Sequence, residues 1–241
     1  MANHDLNTAV TDENLVASIS RILLRSDIPC VLWGNYLLTV YGVPTIVNSI
    51  DFAVPDHLVA AAESALQNKG LADCSEPELC TAVAKTRTSP APAAHFHIDF
   101  EMTVSIYMRS STFWSLPSLD LEQLIRSHDI ILASDSYLPP PRPGRGHGAF
   151  RASPFPVYIP TAHHLLEAFV RLAAGSYGGR YINWGIAMIT YIEEFLEGDG
   201  LLDEELVEDR CRKFYSDMKL GERPLRPLLK ELADSFGWSF D

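Results

Sequence analysis

Asp51 and Ser49 stand two residues apart in an alternating segment and are the first residues whose types and spacing point to chemistry. Two side chains spaced in this way on a β-strand point to the same face of a sheet. Two carboxylates in this arrangement can share a magnesium ion, which prefers oxygen ligands in near-octahedral geometry. Ser49 is neutral and is a poorer ligand than a carboxylate, so the pair predicts a weak magnesium site that depends on Asp51.

A glycine turn, Gly34-Asn35, precedes this pair and could receive a phosphate group. The apolar run 30–33 predicts a buried strand that ends at the turn, and residues 35–41 predict a short helix after it. The alternation in residues 49–54 predicts a second strand. Because the first backbone N–H groups of a helix are free to meet anions, Gly34 and Asn35 are candidate ligand-binding residues, together with Ser49.

The stretch from Ile28 to Val54 resembles the opening of the nucleotidyltransferase superfamily, especially its minimal and AbiEii-like antitoxin and toxin branches. That family has Gly-Gly or Gly-Ser after the first strand and Asp-x-Asp on the second. Here the pairs read Gly34-Asn35 and Ser49-Ile50-Asp51. The segments VLWGNYLL and YGVPT resemble those of a group of fungal proteins of this kind. The resemblance implies magnesium and a nucleotide triphosphate, with a hydroxyl attacking the α-phosphate and pyrophosphate leaving.

The resemblance also implies a third carboxylate on a later strand of the same sheet. The segment AHFHIDFEMTVSIYM, residues 94–108, alternates strictly, which predicts one half-buried strand with Asp99 and Glu101 on a single face. Both residues point the same way, so either can be the third carboxylate. The expected catalytic and metal-binding set is therefore Asp51 with Asp99 and Glu101, gathered across a cleft.

The same segment allows a metal site of another class. His95, His97 and Glu101 follow the pattern H-x-H-x3-E, which is the ligand core of cupin metal sites. A cupin also needs flanking glycines and many short strands, which this sequence lacks. A different site that uses His97, Asp99 and Glu101 remains an alternative, and His97 is a candidate ligand-binding residue in either case.

Basic residues are scarce, and three of them are candidates for contact with a phosphorylated ligand. Arg142 and Arg145 lie in the proline- and glycine-rich residues 134–156, the arginine loop. Few apolar side chains can anchor this loop, so we expect residues 138–153 to be poorly ordered without a ligand, as a solvated loop or a phosphate-gripping lid. The resemblance implies a lysine in the helix after VYIP; none is present, and Arg171 could replace it.

The overall composition excludes several classes of function. A net charge of −12 argues against a general nucleic-acid-binding surface. We expect no membrane-spanning helix, because no apolar run approaches 18 residues, and no signal peptide, because the start lacks a basic and an apolar region. Four scattered cysteines predict free thiols in a reducing cytoplasm. Cys74 and Cys80 allow a disulfide or a metal role, but their spacing matches no established ligand pattern, which favours free thiols.

The sequence as a whole predicts an α+β protein. We expect a nucleotidyltransferase-like mixed sheet over residues 1–160, with strands near 30–33, 49–54, 95–108 and 129–133, followed by a helical region over 161–241. The favoured interpretation is a degenerate metal and nucleotide site that binds a small ligand, a nucleotide or another phosphorylated molecule, without efficient nucleotidyl transfer. An active magnesium-dependent nucleotidyltransferase is the alternative, and an enzyme with a His/Asp/Glu metal site at 95–101 is a second one. No oligomeric state is indicated.

Overall fold

The computed structural model describes residues 6, 8–76, 78–99, 101–113, 116, 119–151, 155–176, 179 and 181–238. The chain divides into two compact units. The first comprises residues 1–85 and 91–160, and the second comprises residues 86–90 and 161–241. Helices and a small mixed sheet make the architecture α+β, which confirms the predicted class.

The first unit contains four α-helices and six strands among its described residues, besides two short 3-10 turns at Asp56–Leu58 and Arg109–Ser111. The helices are α1 (Glu13–Arg25), α2 (Gly34–Val40), α3 (Val59–Gln67) and α4 (Leu121–Arg126). The strands are β1 (Val31–Trp33), β2 (Ser49–Val54), β3 (Ala94–His97), β4 (Thr103–Met108), β5 (Ile130–Leu132) and β6 (Tyr158–Pro160). The predictions of strands near 30–33 and 49–54, with a short helix between them, are confirmed.

A four-stranded sheet in the order β1-β2-β4-β3 is the frame of this unit. Strands β2 and β4 are parallel, whereas β1 pairs with β2 and β3 pairs with β4 in antiparallel fashion. One face carries apolar side chains such as Ile50, Phe52, Val104 and Ile106, all fully buried. The opposite face carries Ser49 and Asp51 on β2, so the alternation of the sequence places polar groups together on one side.

The segment 94–108 corrects one prediction. It forms two strands rather than one, because β3 ends at His97, β4 begins at Thr103, and the two strands pair as an antiparallel hairpin. The Ile98 amide donates to the Met102 carbonyl at 2.9 Å across this turn. The strand near 129–133 also differs from the expectation, because β5 pairs with β6 in a separate two-stranded sheet.

The arginine loop is anchored in its described part, residues 134–151 and 155–156, contrary to the expectation. Leu138 and Phe150 are buried. The amides of Gly146 and Gly148 donate to the carbonyls of Gly42 and Thr39, each at 2.9 Å. The prediction of a poorly anchored loop overlooked these two apolar side chains and the backbone hydrogen bonds that glycine allows at close approach.

After Thr161 the described residues of the second unit form helices joined by turns and short irregular segments, and they include no strand. Its helices are α5 (Ala162–Gly175), α6 (Ile182–Tyr191), a π-helical turn at Ile192–Glu197, α7 (Asp209–Leu220) and α8 (Leu225–Ser235). Within the described ranges, no helix of either unit has both the length and the apolar character needed to cross a bilayer.

Candidate functional site

Asp51 is a buried carboxylate at the centre of the polar sheet face. Only 4% of its surface is exposed. The Ser49 hydroxyl donates a hydrogen bond to its Oδ2 atom at 2.8 Å. A carboxylate taken out of water needs hydrogen-bond donors, because its desolvation otherwise costs several kcal/mol. Ser49 therefore acts as a support for Asp51 in this structure, which is a different role from a second metal ligand.

Gly34 lies against the Asp51 carboxylate. Its φ of +70° is in the left-handed region, and a Cβ atom at this position would lie 2.2 Å from Asp51 Oδ2. Any side chain would therefore both strain the backbone and collide with the carboxylate. The preceding residue, Trp33, pairs with Asp51 across β1 and β2 and packs edge-on against Phe113, which fixes the turn.

Hydroxyl groups occupy the positions beside Asp51 and Ser49 on the neighbouring strand. Ser105 pairs with Asp51, and Thr103 pairs with Ser49. Both are buried, and their oxygens are 3.4 Å apart. Paired residues share a face of the sheet. These four paired positions of β2 and β4 therefore hold one carboxylate together with three hydroxyls. We call Gly34, Ser49, Asp51, Thr103 and Ser105 the Asp51 site.

Asp99 and Glu101 do not join this site. The structure places both in the exposed turn between β3 and β4. There Asp99 Oδ1 accepts the amides of Glu101 and Met102 at 2.8 and 2.7 Å, so it stabilises the turn. Asp51, Asp99 and Glu101 are not among the groups of described residues whose ligand atoms gather within 4.8 Å. The expected cluster of three carboxylates does not form, because β3 ends at His97 whereas the alternating pattern of the sequence continues through Asp99 and Glu101.

The other candidate residues of the first unit have structural contacts. The Asn35 amide donates to the Ile46 carbonyl at 2.9 Å, which closes the loop after α2. Arg142 is exposed and Arg145 half-buried, in the part of the arginine loop that binds the backbone at Thr39 and Gly42. These two residues lie at the end of α2 away from Gly34, about 9 Å along a seven-residue helix.

Arg171 belongs to the helical second unit, on α5. Its guanidinium lies over the Phe236 ring at 4.4 Å and 4.0 Å from Glu208. Burial raises the pKa of Glu208, but hydrogen bonds from Arg210 and the Cys211 amide outweigh this and lower it below its usual value. Arg171 thus has an aromatic and an anionic neighbour within its own unit, and its predicted role toward a phosphate stays a prediction.

Two tyrosines of the α2 segment are unsuited to acid–base work at neutral pH. Burial raises the pKa of Tyr36, and the negative charges of Asp12 and Glu13 add to the rise. Burial likewise raises the pKa of Tyr41, whose hydroxyl donates to the Pro160 carbonyl at 2.6 Å. Both groups therefore stay neutral and act as packing and hydrogen-bonding residues.

His97 lies in a second cluster on the same sheet face. It stands two residues from His95 on β3, and the Nε2 atom of each histidine is 3.3 Å from Cys80 Sγ. One ligand atom each of Cys74, Cys80, His95 and His97 lies within 4.8 Å of all the others. In the sequence the cysteines and the histidines are separate signals, and nothing joins the H-x-H spacing to Cys74 and Cys80.

No protein-family model, no curated protein and no solved structure matches this chain. A function must therefore be argued from the geometry of the candidate sites.

Proposed function

We propose that this chain is a nucleotidyltransferase-like protein that binds a nucleotide or another small phosphorylated ligand at the Asp51 site without transferring a nucleotidyl group. The observation that carries the proposal is the register of β2 and β4, which sets Ser105 and Thr103 beside Asp51 and Ser49. Hydroxyls thus stand where a working metal site of that family needs carboxylates.

The order of elements supports the relation to that family. A buried strand, a left-handed glycine, a short helix and an antiparallel strand bearing Asp51 follow one another, and a further strand runs parallel to the last. Gly34 is required by the carboxylate that lies against it. The glycine turn and Asp51 therefore depend on each other, because the carboxylate occupies the space that a side chain at position 34 would need.

The charge of the site supports the loss of transfer. Phosphoryl chemistry depends on metal ions and fixed charges that neutralise the developing negative charge. A magnesium site commonly uses one or two carboxylates together with substrate phosphates. The residues present do not fit the full acidic set, and Asp51 is nearly sealed from solvent. We therefore expect weak binding of magnesium and no turnover.

Thermal unfolding with a panel of nucleotides, with and without magnesium or manganese, tests the binding part. A ligand present at about 100 times its Kd adds about 2.7 kcal/mol of stability, which raises the Tm by about 5–11 °C for a chain of this size. The Asp51→Asn variant should lose the metal-dependent part of the shift. No shift with any nucleotide would contradict nucleotide binding, and pyrophosphate release by the wild type that Asp51→Asn abolishes would contradict the loss of transfer.

Restoring the missing charges tests the relation to the family. Ser49→Asp, alone and with Ser105→Asp, should raise the affinity for magnesium in calorimetric titration about tenfold or more for each added carboxylate, because opposite charges about 4 Å apart attract by a few kcal/mol near a protein surface. Ser49→Asn is the matched control, since it has the same shape without the charge. Equal magnesium affinity in the Asp and Asn variants would show that the Asp51 site was never a magnesium site.

A further inference from the structure

We infer that Cys74, Cys80, His95 and His97, the Cys-His cluster, form a structural zinc site. The site lies outside the residues of the Asp51 site and does not depend on the proposed function. Four ligands of two types converge from two separate segments of the chain, and one ligand atom of each lies within 4.8 Å of the others.

The distances fit zinc. Zinc binds thiolate sulfur at about 2.3 Å and imidazole nitrogen at about 2.0–2.1 Å in a tetrahedron, so neighbouring ligand atoms stand about 3.3–3.8 Å apart. Cys80 Sγ is 3.3 Å from both imidazole Nε2 atoms. All four ligand atoms lie within 4.8 Å of one another, so a small closure around an ion completes the tetrahedron. Two thiolates and two neutral imidazoles are a ligand set of zinc rather than of magnesium.

The fold holds both halves of the cluster in place. His95 and His97 are alternate residues of β3 and pair with Ser105 and Thr103 on β4, so they share one face. On the other side of the cluster, Asp73 forms an isolated antiparallel bridge with Phe96. Because Phe96 stands between the two histidines, this bridge brings the next residue, Cys74, to their side of the strand.

Further contacts position the cysteine segment. The Gln67 amide at the end of α3 donates to both Asp73 carboxylate oxygens at 2.9 and 3.0 Å. The Val83 amide donates to the Cys80 carbonyl at 3.3 Å, which turns the chain at that cysteine. Cys74 and Cys80 are free thiols in the structure, so they remain available as ligands.

An open cavity gives an ion access to the cluster. It measures about 500 Å³, and its lining includes Cys74, Cys80 and His97. Glu76 and Asp99, which also line it, are exposed carboxylates. Their negative charge favours the approach of a cation, and the four protein ligands then leave zinc no open coordination position, which is the mark of a structural site.

The position of the site explains what it would stabilise. β3 is the last strand of the sheet order, and the segment after α3 that contains Cys74 and Cys80 has neither a helix nor a strand up to β3 in its described residues. A long irregular segment at a sheet edge needs an anchor. Zinc would fasten this segment to the edge strand through all four ligands.

Metal analysis of the reduced full-length chain tests the inference. After expression and purification with a non-chelating reductant, we expect one zinc ion per chain. Cobalt exchanged into the site should give the thiolate-to-metal and ligand-field absorption bands of a tetrahedral Cys-containing site. The Cys80→Ser and His97→Asn variants should each lose more affinity than the about 10–100-fold that loss of an outer-shell partner costs. His57→Asn, an exposed histidine outside the cluster, should retain one zinc ion.

Contrary outcomes are equally definite. The inference is overturned if the reduced wild type holds no zinc, if its cobalt form lacks thiolate bands, or if Cys80→Ser binds as tightly as the wild type. A Cys74–Cys80 disulfide that persists under reductant also overturns it. Should a variant fail to fold, chelation and re-addition of zinc in the wild type give a reversible readout by circular dichroism and Tm. Asp51→Asn, which should keep its zinc, separates this result from the fate of the proposed function.

Discussion

The Asp51 site and the Cys-His cluster lie on the same face of one sheet and differ in what they offer a metal ion. Ser105 stands between them, paired with Asp51 on one side and His95 on the other. The Asp51 site is nearly sealed and holds one carboxylate among hydroxyls. The Cys-His cluster opens to a cavity and gathers four strong ligands. The order of motifs in the sequence therefore predicts a metal at the Asp51 site, which offers the weaker ligands. The stronger ligands are those of the Cys-His cluster, which come together only in the folded structure.

The largest expected effect comes from removing zinc. If zinc is present at about 1,000 times its Kd, it adds about 4.1 kcal/mol of stability, which corresponds to about 8–16 °C in Tm for a chain of this size. A chelator should lower the Tm of the wild type by that amount. It should leave the Cys74→Ser/Cys80→Ser variant unchanged. If the chelator changed the Tm of both proteins equally, the Cys-His cluster would not be the site that binds the stabilising metal.

A steric test addresses the Asp51 site. Gly34→Ala should destabilise the protein by about 3 kcal/mol, because it adds a left-handed alanine, at about 1–2 kcal/mol, to a collision with the carboxylate. Gly70→Ala is the matched control: Gly70 also has a positive φ, but nothing lies within 4 Å of an added Cβ. The Gly70→Ala variant should lose only about 1–2 kcal/mol of stability, which is the cost of a left-handed alanine, as measured by urea unfolding.

A double-mutant cycle sharpens this test. Asp51→Ala removes the carboxylate that an added methyl group at position 34 would meet, so the double variant should recover about 1–3 kcal/mol relative to the sum of the single effects. Urea unfolding of the four proteins measures this coupling. Additive effects would mean that Gly34 is required for its backbone alone and that the carboxylate does not shape the turn.

The independence of the two sites gives a third prediction. Asp51→Asn should abolish the metal-dependent part of a nucleotide-induced Tm shift while zinc stays at one ion per chain. Cys80→Ser should reduce zinc binding and leave the nucleotide response in place, if the variant is assayed below its own Tm. Loss of both properties in either variant would show one merged site, since Ser105 adjoins both.

The arginine loop should contribute least. Arg145 is half-buried and lies near the end of α2 away from Gly34, so its charge reaches the Asp51 site only weakly. Arg145→Ala should change nucleotide affinity by less than about threefold, equivalent to about 0.6 kcal/mol, as for other partly exposed charges. Arg142→Ala, at an exposed position of the same loop, is the control. A tenfold loss for Arg145→Ala alone would make the loop part of the site.

The sequence predicted local elements better than their assembly. Hydrophobic runs and glycine breaks located β1, α2 and β2, because these signals depend on neighbouring residues. The alternation at 94–97 also placed His95 and His97 on one face. The sequence did not predict the hairpin, because residues 98–102 contain no glycine or proline. The turn is stabilised instead by Asp99, whose Oδ1 accepts the amides of Glu101 and Met102.

The site was less accessible to sequence reasoning for a physical reason. Asp51 and Gly34 could be joined because both belong to one strand–helix–strand unit. The pairing of β2 with β4 could not be read from local pattern, so Ser105 was not recognised as the neighbour of Asp51. In the same way, Cys74 meets His95 and His97 through the bridge between Asp73 and Phe96, a long-range contact that no spacing encodes.

X-ray absorption at the zinc edge of the purified, reduced protein tests most directly the claim that this sheet binds its metal through the Cys-His cluster. We predict a first shell of two sulfur atoms at about 2.3 Å and two nitrogen atoms at about 2.0–2.1 Å. Asp51→Asn should leave this shell unchanged, and Cys80→Ser should remove one of the sulfur atoms. A first shell of oxygen and nitrogen alone, or no bound metal in the reduced protein, would contradict the assignment.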